Sequence, residues 1–284
     1  MKGNTEMKMR EIKKTVSGRQ TRDGAGVRLT RVISQPDVYD FDPFLMLDAF
    51  DSTDPQDYIR GFPWHPHRGI ETVTYLIYGD IEHGDSLGNS GSIRDGCCQW
   101  MTAGSGIIHQ EMPKASEYML GVQLWLNLPA HDKMAQPKYH DIRPENIALI
   151  QEKDYSVKVL SGNLSNVPGA MQGDYVKADI LDVTVFPQGG FSMKTDPSDT
   201  VFAYILKGNG SFGTTGEMIP AKQVVLFETG EFFLATAGEI GLRFLLFAGR
   251  PLRETIAWGG PIVMNTQEEL NTAFRELDEG TFIK

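Results

Sequence analysis

Short segments in which apolar residues alternate with other side chains recur along most of the chain. Residues 70–77 are rich in β-branched and aromatic types, and Val122, Leu124, Leu126 and Leu128 occupy every second position of another segment. Similar segments follow at residues 183–186, 201–206, 224–227, 231–234 and 242–247. Glycine paired with aspartate or asparagine separates several of them, as at residues 79–80, 84–85 and 208–209. Many short strands divided by turn residues are typical of an all-β sandwich or barrel.

One segment near the end of the chain has helical rather than strand periodicity. Thr266 followed by Glu269 forms a capping box, and apolar residues then recur at helical spacing from Leu270 to Leu277. A glycine at the end of this pattern is a common stop signal. The pattern predicts a helix at about residues 267–279.

A weak internal repeat indicates the domain organisation. Residues 74–79 (TYLIYG) and 203–208 (AYILKG) are both apolar strands that run into a glycine turn, at an offset close to half of the 284 residues. Such a duplication predicts two similar β domains in tandem. Pro137 just before it, Pro144 within it and a polar stretch mark the segment of residues 138–152 as a linker. We therefore predict one β-barrel over residues 1–140 and a second over residues 141–284, which ends in the helix.

The charge of the chain limits the kinds of partner it can bind. It has 27 Lys and Arg against 37 Asp and Glu, and its formal net charge is −10. An acidic surface repels a phosphate backbone, so we expect no direct binding to nucleic acid. Any regulatory contact would therefore be made with another protein.

Cysteine content and hydropathy indicate a reducing compartment. Cys97 and Cys98 are adjacent, a spacing too strained for a bridge, and two cysteines supply no disulfide framework. Residues 1–14 are polar and charged, unlike a secretory signal, and no stretch approaches the roughly 18 apolar residues of a membrane span. We expect a cytoplasmic protein without a membrane segment, or a nuclear one in a eukaryote.

Two short motifs concentrate groups that bind metals. His65 and His67 are two residues apart, as are His109 and Glu111. On a strand, residues at this spacing share a face, so two paired strands could bring the four side chains together. Three imidazoles and one carboxylate suit a divalent iron, manganese, nickel, copper or zinc ion, and they do not suit calcium or magnesium.

Two carboxylates compete for the fourth ligand position. Glu71 lies four residues after His67, and Glu111 lies two residues after His109. Strand parity directs both side chains inward, so spacing alone does not choose between them.

The same motifs resemble the two-part signature of cupin barrels, H-x-H-x(3)-E followed by G-x-x-H. Residues 65–71 fit the first part, and residues 106–109 fit the core of the second. The sequence departs from the usual pattern at Gly104, where cupins have proline, and at Pro113, where they have asparagine. In a typical cupin, the glutamate at the motif position of Glu71 binds the metal.

A closer resemblance covers nearly the whole chain, and it is to the pirin family of two-barrel cupins. The matching blocks are long and specific: residues 23–27 (DGAGV), 42–48 (DPFLMLD), 65–69 (HPHRG), 99–104 (QWMTAG), 106–111 (GIIHQE) and 259–266 (GGPIVMNT). The resemblance implies two tandem jelly-roll barrels with a C-terminal helix. It also implies one metal ion, most often iron, on His65, His67, His109 and Glu111, with Glu71 in a supporting role.

The resemblance further implies a function. Pirins are linked to the oxidative cleavage of flavonols such as quercetin, so we expect a flavonol and O₂ as substrates and a dioxygenase activity. Glu111 would then accept the proton of the substrate 3-hydroxyl as a general base. The alternative is an iron-binding redox sensor that regulates transcription factors or metabolic enzymes through protein contact.

The second half of the chain lacks an equivalent set of ligands. The repeat offset aligns His65 and His67 with Lys194 and Asp196, and it aligns the later pair with residues near Ala235 and Ala237. These side chains cannot hold a transition metal. We therefore expect the second barrel to be structural.

Overall fold

The computed structural model describes residues 8–284, and β-strands dominate it. In chain order, the strands and helices are β1 (Ile12–Ser17), β2 (Arg19–Asp23), β3 (Val27–Ile33), α1 (Val38–Phe41), β4 (Phe44–Ser52), β5 (Phe62–His67), β6 (Ile70–Tyr78), β7 (Asp80–Asp85), β8 (Ser90–Arg94), β9 (Cys98–Thr102), β10 (Ile107–Pro113), β11 (Met119–Asn127), β12 (Lys138–Ile142), β13 (Ala148–Gln151), β14 (Tyr155–Ser161), β15 (Asn163–Leu164), β16 (Val167–Pro168), β17 (Ala178–Val185), β18 (Gly190–Lys194), β19 (Thr200–Phe212), β20 (Ile219–Pro220), β21 (Gln223–Phe227), β22 (Phe232–Gly249), β23 (Ala257–Gly259), β24 (Ile262–Met264) and α2 (Gln267–Asp278). The all-β prediction is confirmed. No helix among the described residues is both long enough and apolar enough to cross a membrane.

The described chain divides into two compact units. The first unit comprises residues 19–146 and 252–284, and the second comprises residues 8–18 and 147–251. The predicted ranges 1–140 and 141–284 therefore need correction at both ends. β1 pairs with β21, which places the N-terminal strand in the second unit. The terminal helix belongs to the first unit. The sequence did not predict this, because local periodicity cannot show which strands a distant segment packs against.

The first unit consists of two antiparallel sheets with an apolar core between them. The larger sheet has seven strands in the order β12-β9-β6-β11-β4-β3-β2, and the smaller has four in the order β5-β10-β7-β8. Leu29, Phe50 and Leu76 of the larger sheet pack against Ile81 and Ile93 of the smaller one. The facing sides of the two sheets are thus buried. In the central strands β6, β9 and β11 nearly every residue is buried, so both faces of the larger sheet are covered there.

The pairing of β5 with β10 places the candidate metal-binding motifs opposite each other. His65 is the direct partner of His109, and the register shifts between His109 and Glu111. Along β10, His109 and Glu111 are buried, whereas Ile108 and Gln110 between them are partly exposed. His109 and Glu111 therefore lie on one face of β10, as their spacing predicts.

The last segment of the chain completes the first unit. β23 and β24 form a hairpin, and the Val263 amide donates to the Arg68 carbonyl oxygen at 3.1 Å. The buried Arg68 guanidinium donates to the Phe282 carbonyl oxygen at 2.8 Å and pairs with Glu276 at 2.7 Å. These contacts fix the hairpin and the C-terminus next to the strand that follows His67.

Helix α2 begins where the sequence predicts. The Glu269 amide donates to Thr266 Oγ1 at 3.2 Å, and the Thr266 amide donates to Glu269 Oε2 at 3.0 Å, which completes the capping box. The helix buries Leu270 and Ala273. It ends at Asp278, within one residue of the predicted end, so the predicted C-terminal helix is confirmed.

The second unit is filled by aromatic side chains. Its main sheet follows the order β1-β21-β19-β22-β17-β14-β13, with β18 and β20 paired at its sides. Five buried phenylalanines pack with ring centroids 5.1 to 6.2 Å apart, and they are Phe191, Phe212, Phe227, Phe233 and Phe244. Edge and tilted ring pairs of this kind each contribute about 0.5–1.5 kcal/mol beyond area burial.

The positions that the repeat aligned with the histidines have different environments. Lys194 and Asp196 are exposed, whereas Ala235 and Ala237 are buried in the phenylalanine core. In the pairing of β18 with β22, the inward positions are Phe191 opposite Ala235 and Met193 opposite Phe233. Apolar side chains thus fill this barrel where the first unit has imidazoles.

Candidate metal centre

Three imidazoles converge inside the first unit. His65 and His67 lie on β5, and His109 lies opposite them on β10. One ligand nitrogen from each ring lies within 4.8 Å of the others, and the ring centroids are 4.4 to 5.0 Å apart. Small movements of the side chains would bring three nitrogen donors this close onto one cation at normal bond lengths of about 2.0–2.1 Å.

Backbone carbonyl groups orient two of the three rings. His65 Nδ1 lies 2.8 Å from the Pro63 carbonyl oxygen, and His67 Nδ1 lies 3.2 Å from the Pro261 carbonyl oxygen. A carbonyl oxygen can only accept, so each Nδ1 must carry the proton and donate it. Nε2 of both rings therefore keeps a lone pair for a metal, an arrangement typical of metal-ligating histidines.

His109 provides the test of whether a metal fits this site. Both of its ring nitrogens are buried and make no hydrogen bond with any described residue. Leaving such a group unsatisfied costs about 1–3 kcal/mol. A metal ion that accepts the lone pair of one nitrogen would remove part of this cost, so the residues present fit the cation that the sequence implies.

Burial keeps two of the imidazoles neutral. Desolvation, with a smaller contribution from His65, lowers the pKa of His67 to about 3. Desolvation also lowers the pKa of His109 well below its ordinary value, with smaller contributions from His67 and His65. Only the neutral ring offers a lone pair, so these two residues do not need to lose a proton before they bind a metal at neutral pH.

Glu111 lies beside the three rings and is held by an amide. It is buried, and the Gln123 amide nitrogen donates to its two carboxylate oxygens at 2.9 and 3.0 Å. Glu111, His65 and His67 line the same cavity, although the cluster of nitrogens within 4.8 Å includes only the three histidines. The structure thus brings the fourth predicted residue to the site without placing its oxygens among the ligand nitrogens.

Glu71 occupies a different environment. It is fully buried and accepts a hydrogen bond of 2.7 Å from Thr102 Oγ1, its partner across β6 and β9. Glu71 is not among the residues that line the cavity, whereas Glu111 is. Of the two candidate carboxylates, Glu111 is therefore the one that faces the same space as the histidines.

The cavity in front of the histidines has an aromatic side and a charged side. Its volume is about 660 Å³. Phe62, Trp125 and Trp258 form apolar walls, and Arg31 and Asp48 lie on the charged side. Such a cavity can hold a flat aromatic molecule of moderate size.

The charged groups on one side of the cavity form ion pairs with one another. The Arg31 guanidinium donates to both oxygens of Asp48, at 2.9 and 2.7 Å, and to Asp23 at 2.6 Å. Burial raises the pKa of Asp48, and the hydrogen bonds from Arg31 oppose this shift. Because two carboxylates engage its single cation, this side does not present a free positive charge to a ligand.

Sequence reasoning missed several residues of the site. Trp258 and Pro261 line the cavity from the far end of the chain, and Gln123 holds Glu111. The GGPIVMNT block at residues 259–266 is a signal in the sequence, but nothing in its local pattern points to a metal. Gln123 occupies one of the positions between the apolar residues of segment 122–128, so the alternation does not mark it as part of a site.

Comparison with known proteins assigns the family on both halves of the chain. Residues 26–126 match the family model described as Pirin, and residues 180–283 match the one described as Pirin C-terminal cupin domain. A Pseudomonas aeruginosa protein provisionally named quercetin 2,3-dioxygenase is 41% identical over 281 residues, covering 95% of this chain and 97% of that protein. A pirin-like protein of Caulobacter vibrioides is 40% identical over 279 residues, covering 97% of this chain and all of that protein.

Solved structures agree with this assignment. The crystal structure of quercetin 2,3-dioxygenase from Acinetobacter baumannii has a TM-score of 0.88 and 29% sequence identity, covering 96% of this chain and 98% of that chain. The predicted pair of cupin domains is therefore confirmed. From its sequence, its fold and its relatives, the chain belongs to the pirin family.

Proposed function

We propose that this protein is an iron-dependent dioxygenase that cleaves flavonols such as quercetin. The observation that carries the proposal is the convergence of three imidazoles, two of them held neutral by burial, on one point in the wall of an aromatic-sided cavity. The names of the Pseudomonas and Acinetobacter relatives support the same substrate class.

In this proposal, His65, His67, His109 and Glu111 hold the metal. Bound there, the ion would supply Lewis acidity, redox activity and open coordination positions. Nickel, manganese, copper and zinc suit the same ligand types, so the choice of iron is part of the proposal.

The protein side chains position the substrate and move its proton. The walls formed by Phe62, Trp125 and Trp258 suit the flat rings of a flavonol. Glu111 would accept the proton of the 3-hydroxyl group, and the Gln123 amide keeps its carboxylate oriented for that step. The paired Arg31 and Asp48 favour an uncharged part of the substrate on their side of the cavity.

Replacement of Glu111 by Gln tests the proposed base. The amide keeps the size of the side chain but cannot accept the proton, so we expect the flavonol turnover number to fall by about 10²–10⁴-fold. The measurement mixes iron-loaded protein with quercetin without oxygen, then admits air and follows the flavonol absorbance band. Glu82→Gln, at an exposed carboxylate paired with Lys114, is the control and should keep full turnover.

Metal content must be measured in every sample. An iron-loaded Glu111→Gln protein with undiminished turnover would exclude Glu111 as the base. A flavonol band that persists after air is admitted to the iron-loaded native protein would contradict the dioxygenase proposal. That second result would favour a redox-sensing role through protein contact.

A further inference from the structure

A second polar cluster lies in the first unit beside the three histidines, with His83 and Gln99 buried, Tyr139 half-buried and Asp141 exposed. The proposed mechanism does not use its members, which are His83 of β7, Gln99 of β9, and Tyr139 and Asp141 of β12. The Gln99 amide nitrogen lies 2.9 Å from His83 Nε2 and 2.9 Å from Asp141 Oδ1. The His83 ring stacks on the Tyr139 ring at a centroid distance of 5.7 Å. The cluster is therefore an ordered network and not a chance collection of polar groups.

Hydrogen-bond counting fixes the tautomer of His83. The Asp141 carboxylate can only accept, so the Gln99 group that faces it must be the NH₂ group, which has two hydrogens. The second hydrogen is donated to His83 Nε2, which must then carry a lone pair. In the neutral ring the proton consequently resides on Nδ1. That Nδ1 is buried and makes no hydrogen bond with any described residue.

His83 lies next to the strand that carries His109 and Glu111. Across β7 and β10, His83 is the direct partner of Glu111, and Asp85 is the direct partner of His109. All four side chains are buried, so they share the inner face of this strand pair. His83 and His109 are diagonal neighbours on this face, a relation that places two residues about 7–8 Å apart and their Cβ atoms somewhat closer. Two imidazoles at this separation can share one water molecule.

His109 lacks the carbonyl partner that orients the other two histidines. A metal would take the lone pair of one ring nitrogen and leave the other as a buried N–H. Asp85 is directly opposite, but its oxygens accept hydrogen bonds from the amides of Leu87 and Asn89 and from the Asn89 side chain. The Tyr139 hydroxyl is also buried without a hydrogen bond to any described residue.

We propose that His83 is a positioning residue for His109 and acts through one buried water molecule. This inference rests on the metal centre proposed above. The water accepts hydrogen bonds from the free N–H of His109 and from His83 Nδ1, and it donates one to the Tyr139 hydroxyl oxygen. Three bonds are the usual number for a buried water. The water then fixes the ring of His109, as the carbonyl oxygens of Pro63 and Pro261 fix His65 and His67.

Two substitutions at His83 separate this role from simple packing. The amide nitrogen of Asn lies one bond beyond Cγ, where His has Nδ1, so His83→Asn keeps a donor toward the water. The terminal amide of Gln lies where His has Nε2, so His83→Gln keeps the contact with Gln99 but loses the donor. The probe is Co²⁺ alone, whose affinity is measured by competition with a chromophoric chelator and whose visible spectrum reports ligand geometry.

We expect His83→Gln to weaken Co²⁺ binding by about 10–100-fold and to change the visible spectrum, as loss of a partner of a ligating histidine commonly does. His83→Asn should bind Co²⁺ nearly as tightly as the native protein, and Tyr139→Phe should bind it more weakly. The control is Tyr118→Phe, which removes a hydroxyl that donates to Asp51, and its affinity should be native.

Each remaining outcome contradicts the proposal in a distinguishable way. Native affinity and spectrum in His83→Gln, or equal weakening in both His83 variants, would assign His83 a packing role and leave the metal centre intact. A native protein that binds no Co²⁺ would overturn the metal centre itself, and this inference with it.

Discussion

At the scale of single residues, the neighbours of each imidazole decide which nitrogen remains available to a metal. The carbonyl oxygens of Pro63 and Pro261 hold the Nδ1 protons of His65 and His67. Burial then keeps His67 neutral by lowering its pKa to about 3. The H-x-H spacing predicts a shared face, but the tautomer and the protonation state depend on groups outside the motif.

The lowered pKa of His67 makes the stability of the metal-free protein depend on pH. The unfolded chain takes up a proton near the ordinary pKa of about 6.5, whereas the folded protein does so only near 3. Stability should therefore fall as the pH decreases from about 6.5 toward 3. Between pH 6.5 and 5, His67 alone should lower the free energy of unfolding by about 2 kcal/mol.

Chemical denaturation of the metal-free protein at pH 7 and pH 5 measures this effect. His67→Phe is the matched variant, because its ring fills similar space and does not titrate. The decrease in the free energy of unfolding between pH 7 and pH 5 should be smaller in His67→Phe than in the native protein by about 2 kcal/mol. Equal losses in both proteins would show that His67 is not kept neutral by the fold.

At the scale of elements, the hairpin of β23 and β24 connects the end of the chain to the metal centre. Pro261, between the two strands, supplies the carbonyl oxygen that orients His67. The buried Lys133 ammonium group donates to the carbonyl oxygens of Val263 and Gly69, both at 2.8 Å, and to Asn127 Oδ1 at 2.6 Å. Lys133 therefore fastens the hairpin to the strands that surround the histidines.

Replacement of Lys133 by Met should loosen this hairpin. The variant leaves buried acceptors without a donor, and each such group costs about 1–3 kcal/mol. We expect faster hydrogen exchange at β24 and weaker metal binding, because the carbonyl oxygen of Pro261 is then less well fixed. Lys114→Met, which removes an exposed ion pair with Glu82, should change neither quantity. Native exchange rates at β24 in Lys133→Met would contradict the assigned role.

The elements also show how far the sequence alone can lead. Alternation predicted the buried face of β10, and the capping box predicted the start of α2 at Gln267. The contribution of Trp258 and Pro261 to the cavity could not be predicted, because periodicity describes which face is buried and not which distant segment covers it. The repeat offset pointed to Lys194, although the inward positions of β18 are Phe191 and Met193. A register shift of one residue moves every side chain of a strand to the other face. An offset taken from a short match therefore cannot identify which residues of the second unit point inward.

At the scale of the whole molecule, the two units have similar β architecture and different interiors. The first encloses imidazoles and a carboxylate, and the second encloses phenylalanine rings. Residues 8–18 belong to the second unit, where Arg10 is fully buried. Its guanidinium donates to Thr195 Oγ1 at 2.7 Å and to the carbonyl oxygens of Asp196 and Glu228, at 2.6 and 2.9 Å.

Replacement of Arg10 by Met should destabilise the second unit without altering the metal centre. The change leaves buried carbonyl oxygens unsatisfied, and we expect a loss of roughly 2–4 kcal/mol. Hydrogen exchange at β18 and β21 should quicken, whereas metal affinity should stay native, because all four predicted ligands lie in the first unit. Arg250→Met, which removes only exposed ion pairs, should cost less than about 1 kcal/mol. A large loss of metal affinity in Arg10→Met would contradict this independence.

The central claim is that three imidazoles and one carboxylate of the first unit hold a single iron ion. Anomalous diffraction at the iron absorption edge, from crystals of the iron-loaded protein, tests it most directly. We predict one peak at bonding distance from His65, His67 and His109, with a Glu111 oxygen completing the set. A peak located elsewhere, or none in protein that carries stoichiometric iron, would contradict it.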